Sequence, residues 1–372
     1  MMSLIIGIGI VLVLAILYMI FRIGNLIGVA KGGPRDGVDE DANNLNAWLF
    51  LAFLVFSLVG FYWYSFGHIK EFELPVASEH GLVTDNLFWL TMAIVVISFT
   101  IIFIGLFWFT FQYRYNKNRK AEFFADNHKL ELVWTIIPAI VLAALIFGGL
   151  DAWSDITGPA SKDAEVIEVI GQQFAWTIRY PGVKDKELGR QNYKLIDNTG
   201  NEFGLDLTDK NSFDDFKALE LHLPVGKEVL LKIRAKDVLH SVFLPHFRVK
   251  MDAVPGIQTN FKFKPTLTTE QMREQTGNPN FNYEMACTEI CGQGHFSMRL
   301  LVVVHTPDEY EKWKAAQEPW LKQNPEYLKR VPAALRDVAV IKAGLEVEGS
   351  EATTATTVAG KASTGTESST LN

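Results

Sequence analysis

Cys287-Thr288-Glu289-Ile290-Cys291-Gly292-Gln293-Gly294-His295-Phe296-Ser297-Met298 contains both cysteines of the chain, and the apolar run Leu300 to Val304 follows directly. Two thiols, an imidazole and a thioether stand close together here. Thiolates and thioethers favour copper in its lower oxidation state, and imidazole suits both states. Gly292 and Gly294 let the backbone wrap tightly around an ion. The apolar run reads as a strand that gives the loop a rigid base. Four side chains suffice for one ion. Two cysteines can also bridge two ions, and then more terminal ligands are needed. His240, in the apolar segment Val238-Leu239-His240-Ser241-Val242-Phe243, is the best remote candidate.

Two other chemistries use cysteine pairs. In an oxidising compartment a lone pair usually forms a disulfide. A zinc site is the second alternative, but zinc is not normally held by methionine. The glycines, His295, Met298 and His240 weigh toward copper.

Around this loop the chain reads as short strands. Val166 to Ile170, Phe174 to Tyr180, Leu219 to Leu223, Val229 to Ile233, Val242 to Leu244, Phe261 to Phe263 and Met298 to His305 are rich in apolar and β-branched residues. Pro181-Gly182, Pro224-Val225-Gly226 and Pro255-Gly256 punctuate them. Short strands with turn signals between them indicate a sandwich or barrel. The polar, acidic segment from about Val183 to Lys217 reads as a long connection. Asp308 to Lys322 is helical in character, with Tyr310, Trp313 and Leu321 apolar. From Glu346 to Asn372 the chain is mostly Thr, Ser, Ala, Gly and Glu, too polar to offset its ordering entropy, and a disordered tail is expected.

The first part of the chain differs. Apolar stretches run from about Leu4 to Phe21, Ala47 to Phe66, Leu87 to Phe111 and Val133 to Leu150. Spanning a bilayer takes roughly 20 apolar residues in a helix. The third stretch has no charge between Leu87 and Gln112, and the second ends in the aromatic cluster Phe61-Tyr62-Trp63-Tyr64. The first stretch could be a secretory signal. No basic residue precedes it and no small-residue cleavage site follows, so a retained helix is expected. Arg114, Lys117, Arg119, Lys120 and Lys129 mark the third loop as cytoplasmic, and Arg22, Lys31 and Arg35 mark the first likewise. Lys70 alone among Glu71, Glu73, Glu79 and Asp85 marks the second loop as external. Four spans then place the second half of the chain outside.

The net charge of −7 offers no basic patch for nucleic acid. An acidic outer domain would suit a basic protein partner, although ordinary solvated charge reads the same from counts. No Cys-x-x-Cys-His run occurs, so no c-type haem is attached to this chain.

The run Cys287-x-Glu289-Ile290-Cys291-Gly292-x-x-His295-x-x-Met298 resembles the copper loop of cytochrome c oxidase subunit II. Asp237-Val-Leu-His240-Ser, Lys250-Met-Asp252-Ala-Val-Pro255-Gly256, Leu130-Glu131-Leu-Val-Trp134-Thr-Ile-Ile-Pro138 and Gly171-Gln-Gln-Phe174-Ala-Trp176 resemble the same family. The likeness spans roughly Leu87 to Gln317. It implies an all-β cupredoxin-like Greek-key sandwich on an α-helical membrane anchor, the last two of the four helices forming the family hairpin. The expected organisation is two extra helices in 1–66, the hairpin in 87–152, the copper domain in 160–306, a helical extension in 307–345 and the tail in 346–372.

The resemblance also implies roles. Cys287 and Cys291 would bridge two coppers. His240 and Met298 would complete one, and His295 and the Glu289 backbone carbonyl the other. The Glu289 side chain would reach a magnesium ion shared with subunit I, since a carboxylate suits a hard cation. Glu131, at the cytoplasmic end of the fourth helix, would be a proton-entry residue. An interfacial Glu at a helix start is the plainer reading. Phe174, where the family usually has Trp, and Trp176 are candidates for electron entry. The implied function is acceptance of electrons from cytochrome c or a similar carrier and delivery to haem in subunit I. Oxygen is reduced there with proton pumping, so no oxygen-reducing residue lies in this chain. The implied location is a bacterial inner membrane with the copper domain periplasmic. The two extra helices are expected to touch a further membrane partner, such as a quinol-oxidising complex. His246 is expected to be a surface or packing residue, and His68, His80, His128, His222 and His305 have no assigned role.

Three other classes share parts of this pattern. A quinol oxidase subunit shares the fold but lacks copper ligands. A copper chaperone needs neither His295 nor Met298 at this spacing. A nitrous-oxide reductase carries a similar loop beside a large propeller, for which this chain has no room.

Overall fold

The structure, a computed structural model, describes residues 2–30, 40–183, 186–197 and 199–345. The tail and the basic residues Lys31 and Arg35 lie outside the described residues. The chain divides into two compact units. One comprises Met1–Glu73 and Phe88–Ala144, and the other Leu74–Leu87 and Leu145–Asn372.

Four long helices match the four apolar stretches: α1 (Met2–Ala30), α2 (Glu40–His68), α3 (Glu79–Gln112) and α4 (His128–Thr157). Each is long and apolar enough to cross a membrane. All run beyond the apolar stretches into polar flanks. Within the first unit α2 packs on α3 through aromatic pairs, Trp48 with Phe111 at 4.9 Å, Phe53 with Phe107 at 5.4 Å and Phe61 with Phe99 at 5.4 Å. At the ends of this seam Arg114 donates to Asn44 and Asn43 donates to the Tyr115 carbonyl. The apolar side chains of α1 from Ile8 onward are exposed.

The second unit is a sandwich of two five-stranded sheets. Its strands are β1 (Glu165–Gln172), β2 (Ala175–Tyr180), β3 (Phe216–Ala218), β4 (Leu221–Pro224), β5 (Val229–Ala235), β6 (His240–Leu244), β7 (Val249–Ala253), β8 (Thr259–Phe263), β9 (Tyr283–Cys287) and β10 (Arg299–His305). One sheet has the order β3-β2-β1-β5-β8 and the other β4-β10-β9-β6-β7. The parallel pairs β1 with β5 and β10 with β4 arise because the chain crosses between sheets instead of turning back in hairpins. Between the sheets lie Ile167, Val169, Ile178, Leu231, Ile233, Val242, Met285 and Val302, all fully buried. Three strands, β3, β7 and β9, escape the sequence reading because they are short and carry polar residues. The eight-residue helix α5 (Thr269–Thr276) was also unread, although Thr268 and Gln271 form a capping box at its start.

The segment expected to be a bare connection supplies a second core. Phe203, Leu205, Leu207 and Phe213 pack with Ile170 of β1 and with Trp320, Leu321, Tyr327, Val331 and Ala339 from the C-terminal part. The helical character expected over Asp308 to Lys322 is two helices, α6 (Pro307–Ala315) and α7 (Trp320–Gln323), with α8 (Arg336–Ala343) beyond. Pro319 precedes α7 and cannot continue α6.

β1 is therefore covered on both faces, which explains its nearly unbroken burial. Glu168 of β1 accepts from Arg179 of β2 at 2.6 Å and from Arg234 of β5 at 2.8 Å. Arg179 also bonds Asp215 and the Gly189 carbonyl. Both Glu168 oxygens are paired, whereas burial raises the Asp215 carboxyl to about 7 despite Arg179, and its Oδ1 has no hydrogen-bond partner among the described residues. Lys314 of α6, also buried, reaches Glu165 at 2.6 Å and pins the helix to β1.

The first residues of the second unit are laced into the sandwich. Arg248, in the left-handed region at φ 54°, donates to both carboxylate oxygens of Asp85 and to the Leu74 carbonyl. Ala77 donates to the His246 carbonyl at 2.7 Å. The His246 ring packs against Phe281 and Tyr283, so it is a packing residue.

His222 and His305 meet through the parallel β4–β10 pairing. Their Nδ1 and Nε2 atoms lie 2.7 Å apart, and His222 stacks on Trp313 of α6 at 4.0 Å. Burial and the neighbouring His305 lower the His222 imidazole to about 4, and burial lowers His305 too. The unfolded chain takes up this proton near the ordinary value of 6.5 and the folded chain only near 4. Stability is thus complete above about pH 6.5 and declines as pH falls toward 4. The melting temperature of the wild type is expected to fall more steeply between pH 7 and 4.5 than that of His222→Leu. Parallel curves would contradict the pairing.

Candidate metal centre

The copper-type loop connects β9 to β10 at one end of a sheet. Cys287 closes β9, opposite Val242 of β6. Its N–H donates to the Met298 carbonyl at 3.2 Å, which draws the loop shut, and the Thr288 N–H donates to the Ser241 carbonyl. His240 opens β6, so the strand pairing carries it to the loop without any local signal.

The side chains converge. Cys287 Sγ lies 4.0 Å from His240 Nδ1 and 4.0 Å from Cys291 Sγ. Cys291 Sγ lies 3.5 Å from His295 Nδ1 and 3.9 Å from Met298 Sδ. The Glu289 carbonyl oxygen is 3.2 Å from Cys287 Sγ. A disulfide needs about 2.05 Å between sulfurs. Both cysteines are free and buried here, and His240 and Met298 are buried with them. The ligand atoms of His240, Cys287 and Cys291 all lie within 4.8 Å of one another. This donor set, rich in soft sulfur and shielded from water, fits copper. Burial, with the nearby Cys287, raises the Cys291 thiol to about 11. The Glu289 side chain is half-buried at the edge of the loop.

Behind the ligands lies Trp176. It is buried, its ring meets that of His240 edge-on at 5.8 Å, and its indole N–H donates to the Met298 carbonyl. Phe174, 38% exposed, is the outward ring of the pair. Glu131 lies far along the chain at the start of α4, where it pairs with His128 at 3.3 Å.

Known proteins resemble this chain in sequence. The family model "Cytochrome C oxidase subunit II, periplasmic domain" matches residues 165–305, and the corresponding transmembrane-domain model matches residues 71–151. An alternative cytochrome c oxidase subunit 2 of Bradyrhizobium diazoefficiens is 33% identical over 66% of this chain and 83% of that protein. The chain belongs to the cytochrome c oxidase subunit II family. As such it is a subunit of an oxidoreductase complex. A cytochrome c oxidase subunit 2 of Thermostichus vulcanus is 30% identical over 72% of this chain and 84% of that protein. Among solved structures, the periplasmic domain of subunit II of a Bradyrhizobium japonicum cytochrome oxidase is 23% identical over 42% of this chain and 94% of its own, with a TM-score of 0.28.

Around the candidate ligands of this subunit II stand residues that the motif alone did not single out. Asp237 Oδ1 accepts from His240 Nε2 at 2.9 Å. Burial would raise this carboxyl, but hydrogen bonds from Gln173, His240 and Val238 bring it below the ordinary value. Gly171 faces the His240 ring so closely that an added Cβ would lie 2.9 Å from His240 Cδ2 and 3.0 Å from Trp176 Cζ3. Gly171→Ala is therefore expected to displace His240, at an overpacking cost of about 1–3 kcal/mol, and to weaken copper binding. Copper titration of the variant against wild type checks this, and equal affinity would contradict it. The signal for Asp237 and Gly171 lay inside the matched segments, but only the fold brings them to the histidine.

Proposed function

We propose that this chain accepts single electrons at a thiolate-bridged copper pair on the periplasmic face of a bacterial inner membrane and delivers them to haem in oxidase subunit I. The donor is cytochrome c or a similar small carrier. The observation that carries the reading is the convergence of His240, Cys287, Cys291, His295 and Met298 in one buried cluster. A bridged copper pair supplies a one-electron couple that sulfur and imidazole ligands hold in either oxidation state.

The chain's residues divide the work. Cys287 and Cys291 would hold both coppers, with His240 and Met298 as further ligands to one and His295 and the Glu289 carbonyl to the other. Trp176 and the sheet exclude water from the inner side. Phe174 offers an exposed ring where a donor can press. The Glu289 carboxylate would share a magnesium ion with subunit I. Ile290 and Phe296, 85% and 84% exposed, turn outward from the loop. Large apolar side chains beside a charged ligand loop suit coverage by a partner subunit. Oxygen reduction and proton pumping belong to subunit I, with Glu131 a proton-entry residue at the cytoplasmic side. The two N-terminal helices extend the anchor toward a further membrane partner such as a quinol-oxidising complex.

Rapid mixing tests the donor step. Copper-loaded full chain in detergent, mixed with a reduced small c-type cytochrome, should oxidise it with one electron taken per copper pair. A cytochrome that stays reduced in the presence of the loaded chain would sink the proposal.

A further inference from the structure

We propose that Gln173 and Asp237 form a hydrogen-bonded clasp that positions the His240 imidazole and ties the Phe174 turn to two ligand segments at once. The inference rests on the copper reading above and extends it to residues that do not touch metal.

Gln173 holds on with both ends. Its backbone N–H donates to Asp237 Oδ2 at 2.7 Å, and its side-chain amide donates to the Cys291 carbonyl at 2.6 Å. Asp237 gathers three donors, since the Val238 N–H at 2.7 Å and His240 Nε2 at 2.9 Å both reach Oδ1. A carboxylate in this setting only accepts, so His240 carries its hydrogen on Nε2. The lone pair is then on Nδ1, the atom that faces Cys287. An outer carboxylate on a ligating imidazole fixes its tautomer and ring plane and makes it a stronger donor.

The next residue, Phe174, is seated on the loop itself. A Cβ at Gly294 would come within 2.6 Å of Phe174 Cγ, and one at Gly292 within 3.0 Å of the ring edge. The Phe174 turn is thus bolted to Cys291 through Gln173, to His240 through Asp237, and to the loop backbone through its ring. The segment from Lys236 is held from the same strand end, by its N–H to the Gly171 carbonyl at 2.9 Å. In plain packing, by contrast, the amide and the carboxylate would be interchangeable with groups of equal size.

Asp237→Asn and Gln173→Met, each close in size to the original, separate these cases in the full chain. With Asp237→Asn the negative charge beside His240 is removed. Copper affinity should fall roughly 10–100-fold, the range for loss of an outer-shell partner. The reduction potential should rise, because that charge favours the more oxidised centre. The electron spin resonance splitting should change as well. Gln173→Met should shift the spectrum with Asp237 intact, and it decides the matter if Asp237→Asn fails to fold. Asp237→Glu, which restores a carboxylate, should recover part of the lost affinity. Wild-type affinity, potential and spectrum in both variants would overturn the clasp and leave the metal centre standing. A wild-type chain that takes up no copper would overturn the centre itself, and the clasp with it.

Discussion

Cys291→Ser is expected to abolish copper retention. The sulfur it removes lies within 4.0 Å of Cys287 Sγ, His295 Nδ1 and Met298 Sδ. Serine nearly matches cysteine in size, so β9, β10 and the loop closure from the Cys287 N–H to the Met298 carbonyl should persist. A hydroxyl is a hard, weakly acidic donor and cannot replace a bridging thiolate toward copper. The loss of affinity should exceed the roughly 100-fold that marks the upper end for an outer-shell partner. Copper per chain after dialysis against a weak chelator measures it, with oxidase turnover falling to background in the assembled complex. Wild-type copper content in Cys291→Ser would remove that residue from the centre.

Arg179→Met is expected to cost stability and spare the metal. The guanidinium is fully buried and is the single cation between Glu168 and Asp215 in β1, β2 and the segment before β3. Glu168 keeps Arg234, and Asp215 keeps only the Gly189 N–H among the bonds described. Removing one partner from a buried ion cluster costs about 3–5 kcal/mol, because the polar groups left behind are out of water and short of partners. For an outer domain of this size that is on the order of a 10 °C fall in melting temperature. Circular dichroism of the full chain in detergent, followed in the β-sheet region, reads this directly. Arg179→Lys should fall between, since an ammonium lacks the planar fork that serves two carboxylates. A melting temperature within 2 °C of wild type would show that the cluster is not what holds the second core on the sheet.

Much of this architecture is written in the sequence. The four helices follow from apolar length alone, since a bilayer imposes one requirement that few soluble segments meet. The candidate metal loop was legible because four of its candidate ligands are nearly contiguous, and contiguous residues need no fold to be found together. His240 was legible through its apolar strand and the resemblance around it. What escaped depends on pairing across distant segments. His222 and His305 are joined by a parallel register between β4 and β10, and nothing near either residue predicts it. Asp237 meets Gln173 only where the β1–β2 turn approaches the entry to β6. The second core was hidden by composition. Phe203, Leu205, Phe213 and their neighbours sit in an acidic, polar segment whose average hides their alternation. Its partners lie beyond β10, past the stretch that carries the family resemblance.

Metal content with electron spin resonance on the purified full chain, reduced and then loaded with copper, bears most directly on the centre. Two coppers per chain sharing one unpaired electron is the expected result. A single zinc, or a bond between Cys287 and Cys291 that survives reduction and excludes copper, would contradict it.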